Sequence, residues 1–209
     1  MSMQVLSLTT GPIGTNTYFG YDEDTRKGFI LDPGGYHQTL VKKIKELDLD
    51  PQYIILTHGH ADHIMGVKYF QKDFPDIKVV ASKYEAEMLG DVNFNMSAQF
   101  GDPTTITADI SVDDGDTLQV GGLELKFLTT PGHSPGGMCV YVESENVLFS
   151  GDTLFYASIG RTDFPGSSFK DLADSVHEKL WPLPDETSVF PGHMGPTTIG
   201  FEKENNPFV

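Results

Sequence analysis

At 209 residues and 23.0 kDa the chain has the size of one domain, 1–209, able to bury roughly 70% of the surface its unfolded form exposes. Thirty acidic against fourteen basic side chains leave a formal charge of -16, which repels nucleic acid and anionic membrane unless bound cations offset it, so no nucleic-acid and no membrane partner is expected. No apolar run reaches the roughly 18 residues of a membrane helix, Met1 to Thr10 lacks the pattern of a secretory signal, and the single cysteine, Cys139, sits in an apolar run as a buried thiol with no internal disulfide partner; a cytoplasmic location is the expectation.

In chain order, Asn16 to Tyr21 and Gly28 to Leu31 are apolar, aromatic-rich runs separated by the polar turn Asp22 to Lys27, which predicts a hairpin. The second run stops at Asp32-Pro33-Gly34. A helix is predicted over Gln38 to Leu47, where Leu40, Val41, Ile44 and Leu47 share a face, and Tyr53 to Leu56 reads as a buried strand leading to His58. A second helix begins near Asp62, followed by a strand at Ile77 to Ala81 and a short helix near Lys83 to Leu89. Gly90 to Ala108 is long for a structureless connection, so it is either a functional loop or an element the pattern hides. Strands are predicted near Thr117 to Val120 and Leu123 to Leu128. Met138 to Val142 and Val147 to Phe149 then flank the turn Glu143 to Asn146, and the second of these runs stops at Gly151-Asp152. A helix from Ser168, its N-cap, to about Leu180 precedes a strand at Thr187 to Phe190 that ends at Pro191-Gly192-His193. Hairpin, Asp, helix, strand and His thus recur in the same order, the pattern of an internal duplication. The fold class expected is α/β, a four-layer αββα sandwich of two mixed β-sheets flanked by helices.

Five of the seven histidines fall in three short blocks, His58-Gly59-His60-Ala61-Asp62-His63, Gly132-His133-Ser134 and Gly192-His193, each after a predicted strand. A lone histidine after a glycine is ordinarily a loop residue. Three histidines and an aspartate within six residues have little packing value, and they offer imidazole and carboxylate, the donors that zinc-type ions favour. With Cα atoms ~3.8 Å apart, the first block can gather its side chains only in a tight loop, which Gly59 permits. His58 and His60 then face one ion while Asp62 and His63 lean toward a second. Asp152 is the candidate bridge, because two ions ~3.5–4 Å apart are commonly spanned by a carboxylate. His37 and His177, on predicted helices, are read as surface or half-buried residues.

The H-x-H-x-D-H block, Gly132-His133, Gly151-Asp152 and Gly192-His193 together resemble the metallo-β-lactamase-fold hydrolases along the whole chain. Gly151-Asp152-Thr153-Leu154-Phe155, the run Ile159 to Gly166 and the ending Gly195 to Gly200 are most similar to the small glyoxalase II-like (hydroxyacylglutathione hydrolase-like) group that lacks a C-terminal helical domain. The resemblance implies a dinuclear site, usually zinc, with iron or manganese as other occupants. By that pattern His58, His60 and His133 hold one ion, Asp62, His63 and His193 the other, and Asp152 bridges them. True metallo-β-lactamases commonly use a cysteine ligand, and no ligand block here contains one, so penicillin hydrolysis is not expected. The chain ends sixteen residues after His193, without the helical domain that helps full-length glyoxalase II enzymes hold glutathione.

These readings converge on hydrolysis of a thioester or similar activated acyl compound by a metal-bridging hydroxide, with a small-molecule acyl substrate as partner. Metal coordination brings the pKa of water from 15.7 toward ~7, and a thiolate, of reference pKa ~8.5, leaves without a strong general acid. Asp62 is expected to ligate and to orient or deprotonate the water. Asp32 is assigned behind a ligand, the alternative being a simple turn residue ahead of Pro33. Arg161 and Asp163 form a charge pair bracing the site or the substrate mouth, or merely a surface pair. Phe94, Met96 and Phe100 line the pocket from the long loop or cover the core. Two competing readings are an iron-dependent persulfide dioxygenase-like enzyme, because relatives with a similar Gly-Arg-Thr-Asp-Phe run bind one iron, and a non-catalytic metal-binding protein. The sequence is silent on oligomeric state.

Overall fold

The computed structural model describes residues 2–209; Met1 lies outside them. Strand β1 (Met3–Thr10) pairs along its whole length with β2 (Thr15–Asp22), which forms the predicted hairpin with β3 (Lys27–Leu31). The periodicity hides β1 because it is an edge strand, half-buried at Val5, Leu6 and Leu8 and broken by Gln4 and Ser7. Helix α1 (Gln38–Glu46) crosses over to β4 (Asp50–Leu56), parallel to β3. The helix expected from Asp62 onward is two, α2 (Ala61–Ile64) and α3 (Val67–Asp73). The break falls at Gly66, whose N–H donates to Pro33 O at 2.7 Å, and a Cβ there would sit 2.5 Å from that oxygen.

Strand β5 (Lys78–Ser82) runs into a 3₁₀ turn at Lys83–Glu85 and helix α4 (Ala86–Gly90). The long connection holds only a 3₁₀ turn at Ser97–Phe100 before β6 (Ile110–Val112), a three-residue edge strand too short to register in the pattern. The first sheet therefore has the order β1-β2-β3-β4-β5-β6. The second begins with β7 (Thr117–Val120), β8 (Leu123–Thr129), β9 (Met138–Val142) and β10 (Val147–Gly151). A small hairpin, β11 (Leu154–Phe155) and β12 (Ser158–Ile159), precedes α5 (Phe169–Ser175), which is capped by the Ser168 hydroxyl and continues as a π-helical turn, Val176–Leu180. Strand β13 (Ser188–Pro191) lies parallel to β10, and β14 (Thr197–Thr198) and helix α6 (Ile199–Asn205), neither foreseen, close the sheet in the order β14-β13-β10-β9-β8-β7.

Alternation along the strands makes the layers. Phe29, Leu31 and Ile55 point inward to meet Leu125, Phe127, Val140 and Phe149 of the other sheet. Ile30, Ile54 and Leu56 point outward and pack under Leu40, Ile44, Ile64 and Phe70. On the far side, Cys139, Tyr141, Leu148 and Val189 lie under Val176, Leu180 and Ile199. The fold is an αββα sandwich of two mixed sheets. Hairpin β2-β3, helix α1 and parallel strand β4 repeat as hairpin β9-β10, helix α5 and parallel strand β13. Asp32, His58, Asp152 and His193 all follow the C-terminal ends of these parallel strands, where α/β folds commonly place ligands. Among the described residues, no helix is long and apolar enough to cross a membrane.

Phe149 sits between the sheets with its ring 5.4 Å from Tyr18, 5.7 Å from Phe29 and 5.6 Å from Phe190. Phe149→Ala should lower unfolding free energy by about 3–5 kcal/mol in urea titrations. Phe208→Ala, at a position 52% exposed, should change it by under about 0.5 kcal/mol.

Candidate metal centre

The block after β4 turns back on itself, so His58, His60, Asp62 and His63, all buried, face the loop that follows β8 and the ends of β10 and β13. Ligating atoms of His58, His60 and His133 lie within 4.8 Å of one another, as do those of Asp62, His63 and His193, and those of His58, His63 and Asp152. All seven side chains singled out in the sequence meet in these three overlapping groups, whereas His37 and His177 stand apart, half-buried and exposed.

The separations suit shared cations. Donors 2.0–2.1 Å from a tetrahedral ion are roughly 3.4 Å from each other. His63 Nε2 is 3.3 Å from Asp62 Oδ2, and His193 Nε2 is 3.2 Å from the same oxygen. Asp152 stands between the groups, its Oδ1 3.3 Å from His63 Nε2 and its Oδ2 3.5 Å from His133 Nε2 and 3.6 Å from His193 Nε2. His58 Nε2, His63 Nε2 and Asp152 Oδ1 are buried without a hydrogen-bond partner, a condition native proteins avoid unless another ligand supplies it. Nitrogen and oxygen donors in this number fit a divalent ion of the zinc or iron type.

Some of the donors are backed by a neighbouring group. The Asp32 carboxylate accepts the Thr57 N–H at 2.8 Å and its hydroxyl at 2.6 Å, and Oδ2 lies 2.9 Å from His63 Nδ1, outside good hydrogen-bond alignment. Asp32 itself is buried with φ at 48°, a costly backbone for a residue other than glycine, which sets it apart from an ordinary turn residue. His133 Nδ1 is 2.8 Å from Arg161 O, which orients Nε2 inward. The guanidinium of Arg161 instead grips Asp163 at 2.8 and 2.9 Å in an exposed bidentate pair and lies 4.2 Å over the Phe164 ring at the mouth.

Sequence reasoning missed the other holders. Thr15 donates its hydroxyl to Asp62 Oδ2 at 2.8 Å. Asn16 Nδ2 donates to Pro191 O and Met194 O, and Tyr18 OH donates to Pro191 O at 2.7 Å, which together fix the turn carrying His193. Glu85 accepts from the His58 block and the His133 loop at once. Thr15, Asn16 and Glu85 lie far from the histidine blocks in the chain, and only their three-dimensional register brings them close.

A cavity of about 450 Å³ opens over the cluster, lined by His60, Asp62, His133, Asp152 and His193 below and by Ile13, Met96, Phe100, Phe155 and Phe164 around the mouth. Met96 and Phe100 reach it from the long loop, the first of the two alternatives the sequence leaves open for them. Phe94 is not among its lining residues and lies against Gly166 instead. The loop is tied to the ligand block, because Ala61 N donates to Asn95 O at 2.8 Å and Asn95 Nδ2 to Thr104 O at 2.9 Å.

Residues 10–193 match the family model of the metallo-beta-lactamase superfamily. The chain belongs to that superfamily. Among curated relatives, hydroxyacylglutathione hydrolase GloC of Haemophilus influenzae is 35% identical over 193 residues, covering 90% of this chain and 89% of the relative. Among solved structures, the BLEG-1 B3 metallo-beta-lactamase is 41% identical with a TM-score of 0.91, covering 98% of this chain and 99% of that one. TTHA1623 in a di-iron-bound form is 31% identical with a TM-score of 0.85, covering 98% and 100%. Relatives of this chain thus include a hydroxyacylglutathione hydrolase, a metallo-beta-lactamase and a protein seen in a di-iron-bound form.

In this superfamily member the cluster's protonation is unevenly set. Burial drives His60 down to about 3, with His133 adding to it, and holds His58 well below the ordinary imidazole range. Burial opposes charge on His63 too, but Asp62, Asp152 and Asp32 outweigh it and hold His63 well above that range. His193 is raised as well, because the contact with Asp62 and the charge of Asp152 overcome its burial. Burial pushes Asp62 and Asp152 up, and His63 foremost reverses this, so both stay below the usual carboxylate range. His58 and His60 therefore offer free lone pairs at neutral pH, while His63 and His193 must shed protons to bind a cation. Zinc affinity of metal-free protein should rise as pH climbs above 6.5, the ordinary histidine value. Calorimetric zinc titrations at pH 7 in buffers of different ionisation enthalpy should register proton release; heats independent of buffer would contradict this assignment.

Proposed function

We propose that this chain is a binuclear metal-dependent hydrolase of thioesters or similar activated acyl compounds, acting as a single domain, 1–209, on small-molecule substrates in the cytoplasm. His58, His60 and His133 would hold one ion, Asp62, His63 and His193 the other, and Asp152 would serve both. The observation that carries this reading is the Asp152 carboxylate, one oxygen facing His63 at 3.3 Å and the other facing His133 and His193 at 3.5 and 3.6 Å. When bound, divalent ions of this type lower the pKa of a coordinated water from 15.7 toward ~7 and polarise a carbonyl.

The chain's own groups then have separable tasks. Asp62, its Oδ2 steadied by the Thr15 hydroxyl at 2.8 Å, is placed at the cavity floor to orient the attacking water and take up its proton. Asp32 and the carbonyl of Arg161 keep His63 and His133 turned toward the centre. The apolar mouth formed by Ile13, Met96, Phe100, Phe155 and Phe164 excludes water around the acyl group. Among the described lining residues outside the ligand set, the one charged side chain, Arg161, is engaged with Asp163, and none is a carboxylic acid. A leaving group that departs as a thiolate, of reference pKa ~8.5, needs none. The likeness to the Haemophilus hydroxyacylglutathione hydrolase, named for a glutathione thioester substrate, supports this substrate class. The di-iron form of TTHA1623 favours iron as a second reading for the metal, and the activity to be tested with iron is that of a persulfide dioxygenase-like enzyme.

Zinc-loaded and iron-loaded protein assayed on acyl-glutathione and acyl-N-acetylcysteamine thioesters, oxygen esters, penicillins and persulfides separates these readings. Thioester turnover should dominate with zinc. Asp152→Ala should cut kcat/KM at least about 100-fold, while His177→Ala, exposed and outside the cluster, should stay within about twofold. Oxygen uptake with iron and a persulfide, without thioester cleavage, would support the second reading, and preference for penicillins would refute both.

A further inference from the structure

Glu85 is fully buried, yet it takes no part in any of the three ligand groups. It closes the 3₁₀ turn that follows β5, and its carboxylate accepts three hydrogen bonds. Oε2 receives the N–H of Gly59, between His58 and His60, at 2.8 Å. Oε1 receives the Ser134 hydroxyl at 2.7 Å and the Gly136 N–H at 2.6 Å, both from the loop that carries His133. Among the described residues, no Lys or Arg ion pair offsets this charge. Buried carboxylates without a cation are costly, and this one is retained where it joins two loops 26 and 51 residues away in the chain.

Steric fit makes the same clamp visible a second way. A Cβ on Gly59 would stand 2.9 Å from Glu85 Oε2 and 3.0 Å from Met88 Cγ. A Cβ on Gly136 would stand 2.6 Å from the Tyr84 carbonyl carbon and 2.7 Å from the Glu85 nitrogen. Neither glycine has a positive φ, so what favours glycine is close approach to this turn rather than backbone conformation, most strictly at Gly136, where the neighbours include backbone atoms. Both loops are pressed onto one carboxylate.

We infer that Glu85 is a positioning residue for one half of the centre: it sets the spacing of His58, His60 and His133, and hence the affinity of the ion they hold, while leaving the other ion alone. The other group is anchored elsewhere, Asp62 by Thr15, His63 beside Asp32, and the His193 turn by Asn16 and Tyr18. This inference rests on the reading that two ions bind, and it adds which residue governs one of them. A Glu85→Gln side chain keeps the shape but must turn an amide N–H₂ toward one of the two loops. Either Gly59 N–H or Gly136 N–H then meets a donor, and the tie between the loops is cut.

The test is a zinc competition titration of the full chain against a chromophoric chelator, with His60→Ala and His193→Ala identifying which dissociation step belongs to which group. In Glu85→Gln, the dissociation constant of the ion lost in His60→Ala should rise about 10–100-fold, and that of the ion lost in His193→Ala should change less than about threefold. Circular dichroism of the metal-free variant checks that it folds. Should it not, Ser134→Ala, which removes one of the three bonds, should weaken the same ion a few-fold. Equal weakening of both ions, or of neither, overturns the inference. Wild-type protein that binds fewer than two ions overturns the two-ion reading itself, and this inference with it.

Discussion

Burying many ionisable groups in one place is the constraint around which this molecule is organised. Five imidazoles and two carboxylates converge within a few ångströms, and each would be stabler in water than in a low-dielectric interior unless its charge were answered. Within the cluster the answer is partial: three carboxylates raise the pKa of His63 while burial lowers those of His58 and His60. Divalent cations would satisfy the lone pairs of the neutral imidazoles and the excess carboxylate charge together. The same groups are energetically awkward without cations and complementary to them.

The sandwich meets this constraint by letting each sheet contribute one edge. Strand β4 supplies the dense histidine block from the first sheet, while β8, β10 and β13 supply His133, Asp152 and His193 from the second. The cluster thus depends on the packing between sheets. Tyr18 belongs to both: its ring packs on Phe149 and Phe190 in the core while its hydroxyl holds Pro191 O at the turn before His193. Core order and ligand placement are therefore coupled through single side chains.

Ligand types were legible in the sequence because a metal demands particular side chains at short spacing, and His58 to His63 has no cheaper explanation. The αββα layers were legible for a related reason, since Phe29 to Leu31 and Tyr53 to Leu56 are unbroken apolar runs, as strands covered on both faces are. What stayed hidden was support. Glu85, Thr15 and Asn16 act through backbone amides, backbone carbonyls or a carboxylate 26 to 178 residues away, so their roles exist only in the folded register. The short pieces β6, β14 and α6 carried too few residues for a period, and the split of the second helix at Gly66 comes from a tertiary bond to Pro33 O. Arg161 contributes at the ligands through its carbonyl, which no side-chain motif could announce.

Seven converging side chains are proposed to hold a pair of cations. Crystals of zinc-loaded protein, with diffraction recorded on both sides of the zinc absorption edge, test it most directly. Two anomalous peaks about 3.5–4 Å apart, one beside His58, His60 and His133 and the other beside Asp62, His63 and His193, with the Asp152 carboxylate reaching both, are the result this account requires. One peak, or peaks at other residues, would contradict it.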